Sequence, residues 1–106
     1  MNKTLQSEIL AKIKTKVLEL NPQAEVILFG SRARGDYRED SDWDLLILLP
    51  EEVNLQTKRK YSDITFQIEL DYLISISTLV YSQKEWNEKL CISSLFQNVE
   101  KEGLVL

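Results

Sequence analysis

Six residues within one short stretch have the types and spacing to handle phosphate and a divalent metal: Gly30, Ser31, Arg32, Arg34, Asp42 and Asp44. Gly30 closes the apolar run AEVILF and lets the backbone pass close to a ligand. Ser31 follows at an expected helix start, where free N–H groups and a hydroxyl can hold phosphate oxygens. Arg32 and Arg34 are within reach of the same spot, and Gly35 again permits an unusual backbone. Asp42 and Asp44 stand two apart at the entrance of the next apolar run, so a strand there puts both carboxylates on one face. Two such carboxylates repel unless a cation lies between them, and an all-oxygen pair suits Mg²⁺ or Mn²⁺ shared with substrate phosphates. Trp43 then points to the opposite face as a structural residue, and Ser41 can cap or orient the carboxylates. A phosphate cradle beside a metal clamp is the equipment of phosphoryl or nucleotidyl transfer. The glycine spacing matches neither a P-loop nor a dinucleotide fingerprint.

Composition narrows the alternatives. The 106 residues suit one domain, 1–106, with 43% hydrophobic and 28% charged residues. Lys and Arg total 13 against 17 Asp and Glu, a net charge of −4, which disfavours general nucleic-acid binding but not the binding of one nucleotide. There is no histidine, which removes Ser-His and Cys-His pairs, histidine bases and the usual zinc sites. The single Cys91 cannot form an internal disulfide and is expected as a small core residue. The N-terminus lacks the apolar core of a signal peptide and no run approaches a membrane span, so a cytoplasmic protein without membrane contact is expected.

The elements that must position the six residues can be read from periodicity. Leu5, Ile9, Ile13, Val17 and Leu20 form one face of a helix over residues 4–20, with Thr4 as its cap and Asn21-Pro22 as its stop. Residues 24–30 and 44–50 read as buried strands, with a short helix within 31–37 between them that has Gly35 as a stop. The segment DITFQIELD alternates like a strand, with Ile64, Phe66, Ile68 and Leu70 on one side. Its long polar lead-in and lack of turn residues favour a helix over 54–71. LISISTLVY, residues 73–81, reads as a third strand. Ser82 caps a helix, QKEWNEKL, whose Trp86 packs over the core. A last helix ends at Gly103 with a short apolar tail. The expected fold class is α/β (α+β), a small mixed sheet of about three strands flanked by helices.

The stretch GSRARGDYREDSDWDLLI resembles the signature of the minimal nucleotidyltransferase family, within the DNA polymerase beta-like nucleotidyltransferase superfamily. The core of the resemblance covers residues 24–50, about a quarter of the chain, and the element order is compatible over nearly all of it. It implies an NTP substrate, usually ATP, and two Mg²⁺ ions. By resemblance Gly30 and Ser31 contact nucleotide phosphates, Arg32 and Arg34 match the basic positions, and Asp42 and Asp44 match the metal-binding pair. Many members are antitoxins paired with a HEPN-domain ribonuclease toxin, and some transfer AMP from ATP to a tyrosine of that toxin. The family's third carboxylate belongs on the third strand, where this chain has Ser77, which cannot act as a general base without a partner. Asp71, just before that strand, substitutes only in a different register. The alternative to an active transferase is therefore a weak or inactive nucleotide-binding antitoxin that acts by direct contact; a regulatory nucleotide sensor is a further reading.

Overall fold

The computed structural model describes residues 3–106. In chain order the elements are α1 (Lys3–Leu20), β1 (Glu25–Phe29), α2 (Ser31–Arg34), β2 (Trp43–Leu49), α3 (Leu55–Tyr72), β3 (Ile76–Ser82), α4 (Gln83–Glu88), α5 (Ser94–Glu102) and β4 (Leu104–Val105). The strands form one mixed sheet in the order β3-β2-β1-β4. β1 runs antiparallel to β2 and to β4, and β2 runs parallel to β3. The sheet thus has four strands where about three were expected. The extra one is the apolar tail, Leu104–Val105, paired with Leu28 and Ile27.

Two helix layers cover the sheet. On one face Ile9, Ile13 and Val17 of α1 and Tyr61 and Ile68 of α3 pack against Val26, Leu28, Trp43, Leu45, Ile47, Leu49, Ile76 and Val80. On the other, Trp86 of α4 and Val99 of α5 pack against Ile27, Leu46 and Leu48. β2 is central, and both its faces are covered over Leu45–Leu49, which explains its unbroken apolar run. Trp86 packs as expected, 2% exposed and 5.2 Å from the Phe96 ring centroid.

α3 is a helix through the segment whose sequence alternates. Ile68 is buried, whereas Phe66 and Leu70 are 53% and 54% exposed. Thr65, on the polar side of the alternation, is buried, and its hydroxyl accepts a 3.0 Å hydrogen bond from Thr78 of β3. Helical spacing, not alternation, decides which side chains reach the core. The Asn54 side chain caps α3 by accepting from the Thr57 N–H at 2.9 Å.

Several boundaries differ from the sequence reading. Thr4 lies inside α1 rather than capping it. α2 is the exception: it stops at Arg34 with Gly35 as the expected stop, in a left-handed conformation (φ 92°) with its N–H closing on Ser31 O at 2.9 Å. β3 starts at Ile76, because Leu73 is the left-handed C-cap of α3 (φ 54°) and residues 73–75 make the turn. Ser82 caps α4 as expected, accepting from the Glu85 N–H at 3.0 Å, but α4 ends at Glu88. Cys91 consequently falls in the turn between α4 and α5 and is exposed, not a core residue. Among the described residues no helix is long and apolar enough to cross a membrane.

Candidate active site

The expected phosphate turn and the expected metal pair meet at one end of the sheet. β1 and β2 pair with Phe29 opposite Asp44, so the Gly30 turn leaves β1 just where the carboxylates enter β2. Gly30 has φ 76°, and a Cβ built there would lie 2.2 Å from Asp44 Oδ2. Only glycine permits both that backbone and that approach. α2 begins at once, with the N–H groups of Ala33 and Arg34 bonded to Gly30 O at 3.1 and 3.0 Å. Ser31 is half-buried at its first turn.

Asp44 lies on the face opposite Trp43, which is 1% exposed in the core, as the alternation of a strand requires. Its carboxyl is held above the usual aspartate range, first by burial and next by the charge of Asp42; Arg34 opposes the rise and Glu102 adds to it. Asp42 itself is exposed, just ahead of β2. Among the described residues no three carboxylate, cysteine or histidine side chains gather as a metal cage. A cation on Asp42 and Asp44 would relieve the strain on Asp44 and would complete its coordination with phosphate oxygens and water, as Mg²⁺ ordinarily does. The residues present fit that ion.

The two arginines are put to different uses. Arg34 is exposed at the site: its Nε donates to Asp36 Oδ2 at 3.2 Å and its Nη1 to Glu102 Oε1 and Oε2 at 3.2 and 3.0 Å. Arg32, read in the sequence as a phosphate contact, is 7% exposed and turned inward. Its Nη2 donates to Glu39 O at 3.0 Å and Ser41 O at 3.1 Å, and its Nε also donates to Ser41 O, at 3.3 Å. Its guanidinium carbon lies 4.4 Å from the Tyr37 ring centroid and 4.6 Å from that of Trp43. Arg32 therefore pins the loop that leads to Asp42. Ser41 serves the same loop instead of orienting the carboxylates: its hydroxyl accepts from the Arg38 N–H at 2.8 Å.

Ser77 pairs with Asp44 across β2 and β3, so it stands beside that carboxylate and is exposed there. Asp71 lies on the last turn of α3, beside a surface cleft lined by Lys12, Lys16, Asp63 and Gln67, on the other face of the sheet. Sequence reasoning missed Glu102. The pairing of Leu28 with Leu104 carries it back beside Gly30, whose N–H it accepts at 3.3 Å. The one signal for it was the apolar tail after Gly103, which forms β4.

Comparison with known proteins agrees with this geometry. The profile of the family described as "Nucleotidyltransferase domain" matches residues 10–103. A Methanocaldococcus jannaschii protein named "Putative protein adenylyltransferase MJ0141" is 43% identical over 79 residues, 74% of each chain. The fold is shared with a "Structure of putative minimal nucleotidyltransferase" (TM-score 0.62, 24% identity, 94% of each chain). It is also shared with a "Crystal structure of the toxin-antitoxin with AMP-PNP" (TM-score 0.63, 18% identity, 90% of this chain and 69% of that one). With a family profile spanning nearly the whole sequence and a Gly-Ser turn seated on the Asp44 carboxylate, the chain belongs to the nucleotidyltransferase domain family.

Proposed function

We propose that this nucleotidyltransferase moves AMP from ATP, with Mg²⁺, onto a hydroxyl of a protein partner, and that the partner is a HEPN-domain ribonuclease toxin which it restrains as antitoxin. The observation that carries the reading is the close approach of the Gly30 turn to the Asp44 carboxylate, which supports phosphate binding and metal binding at one site. The relative named as a protein adenylyltransferase supports AMP and a protein acceptor. The fold neighbour described as a toxin-antitoxin with AMP-PNP supports the antitoxin role.

The residues divide the work as follows. Gly30 and Ser31 bind polyphosphate oxygens, and Arg34 steadies the departing pyrophosphate. Asp42 and Asp44 would hold the magnesium ions, whose chemistry is to neutralise phosphate charge and align attack with departure. The acceptor oxygen bonds to the α-phosphorus, the bond from that phosphorus to the bridging oxygen breaks, pyrophosphate leaves and the hydroxyl proton passes to solvent. Ser77, beside Asp44, cannot take that proton, so the transfer is slow relative to a site with a third carboxylate.

The test is incubation with α-labelled ATP, Mg²⁺ and the HEPN-type candidate partner. We expect label on the partner with wild type and a loss of about 100-fold or more with Asp42→Asn/Asp44→Asn, consistent with removal of the charge-stabilising group. Equal labelling by the double variant contradicts the mechanism. The position of Ser77 favours a second reading, neutralisation by contact alone. Under that reading the double variant still silences the partner's ribonuclease activity although no label is transferred.

A further inference from the structure

Glu102 belongs to α5, yet its carboxylate is placed among the groups assigned to the nucleotide. It accepts from the Gly30 N–H, which is the donor at the phosphate turn. It takes Arg34 Nη1 with both oxygens, at 3.2 and 3.0 Å. Its side chain is only 16% exposed, against 46% for Arg34, so this pair is better shielded than an ordinary surface ion pair. The placement is built into the backbone. Leu104 pairs with Leu28, and Gly103 is packed so closely that a Cβ there would lie 2.5 Å from Val99 O and 2.8 Å from Ile27 Cγ2. The end of α5 is thus held fixed on β1, and the Glu102 side chain is aimed at the turn.

A carboxylate that accepts from one backbone N–H and from a guanidinium is chemically what a phosphate does at such a turn. Gly30 has one N–H to give. A polyphosphate arriving there meets a negative group already bonded to its donors and repelling its charge.

Resting on the nucleotide reading of the site, we propose that the Glu102 carboxylate is a built-in competitor of the nucleotide polyphosphate: it holds the Gly30 N–H and the Arg34 guanidinium, and it must release them for the nucleotide to seat. Rotation of the side chain is enough, because Val99 and Gly103 keep the backbone of α5 on the sheet. The device sets a threshold on nucleotide binding, and it keeps Arg34 paired whenever polyphosphate is not on it.

Calorimetric titration with ATP at saturating Mg²⁺, on wild type, Glu102→Gln and Glu102→Ala, tests the competition. Both variants should bind ATP about threefold to tenfold more tightly, the range expected for removing one partly shielded charge contact. Equal or weaker binding by the variants overturns the proposal; weaker binding makes Glu102 a prop that holds Arg34 in place. Wild-type NMR supplies a readout independent of whether the variants fold. The Glu102 carboxyl carbon and the Gly30 amide should shift together as ATP is added, and a Glu102 signal unmoved at ATP saturation overturns the competition. If wild type binds ATP but these signatures fail, only the competition falls. If neither wild type nor variants bind ATP, the nucleotide reading falls and the competition with it.

Discussion

Asp44 is where burial and charge conflict in this molecule. Its carboxyl is held above the ordinary aspartate range by burial, by Asp42 and by Glu102, with only Arg34 pulling the other way. A carboxyl whose pKa rises on folding binds its proton more readily folded than unfolded. Its destabilising effect is therefore fully present above the folded value and vanishes as the pH falls below the unfolded value of about 3.9. Asp44→Asn should accordingly raise the thermal midpoint near neutral pH, the gain shrinking as the pH is lowered through the aspartate range, while transfer activity is lost. Thermal melts of both proteins at about pH 7 and about pH 4 check this; an unchanged or lower midpoint at neutral pH contradicts it. Residue positions were legible where strand pairing dictates them. Gly30 beside Asp44 follows from two strands joined by one loop, and Ser77 beside Asp44 follows from the parallel pairing of β2 with β3. Arg32 was not legible, because a guanidinium reads the same in sequence whether it faces phosphate or two backbone carbonyls. Glu102 was not legible either, since it lies 72 residues from Gly30 and only the β4 pairing brings it back.

At the scale of elements, the loop between α2 and β2 holds its shape because Arg32 fills it. Its guanidinium bonds Glu39 O and Ser41 O and lies over Tyr37 and Trp43, and the Tyr37 hydroxyl in turn receives a hydrogen bond from Gln6 Nε2 of α1. Removing it takes the guanidinium from two backbone carbonyls and two rings and loosens the loop that leads to Asp42. Arg32→Ala should lower stability by about 2–3 kcal/mol, the scale of hydrogen bonds to a charged group with ring contacts added. Arg32→Lys should recover little of this, because an ammonium cannot reproduce the planar fork. Urea unfolding of the three proteins measures the effect, and wild-type stability in either variant contradicts the assignment. α3 resolves a sequence ambiguity. Alternation in DITFQIELD suggested a strand, but the polar lead-in and the Asn54 cap commit the segment to α3, which leaves Phe66 and Leu70 outside and brings Thr65 in to Thr78. Element types were readable from period and capping. The turn at Leu73 was not, because a leucine in the left-handed conformation carries no sequence signal.

The whole molecule is a sheet that gathers its chemistry at one edge of two central strands. β1 ends in the Gly30 turn, β2 begins with the aspartates, β3 lays Ser77 beside them, and the end of α5 closes the far side with Glu102. Asp42 adds to the rise of the Asp44 carboxyl, a charge that a shared cation would offset, and Glu102 holds the Gly30 N–H that a phosphate would otherwise take. Their action as one nucleotide–metal site is the central claim. The most direct measurement is calorimetric titration of ATP into wild type and Asp42→Asn/Asp44→Asn, each with and without Mg²⁺. Binding by wild type should require Mg²⁺ and be weakened about tenfold or more in the double variant, a difference of about 1.4 kcal/mol or greater. Binding that ignores Mg²⁺, binding of equal strength in the double variant, or no binding by wild type would contradict the claim.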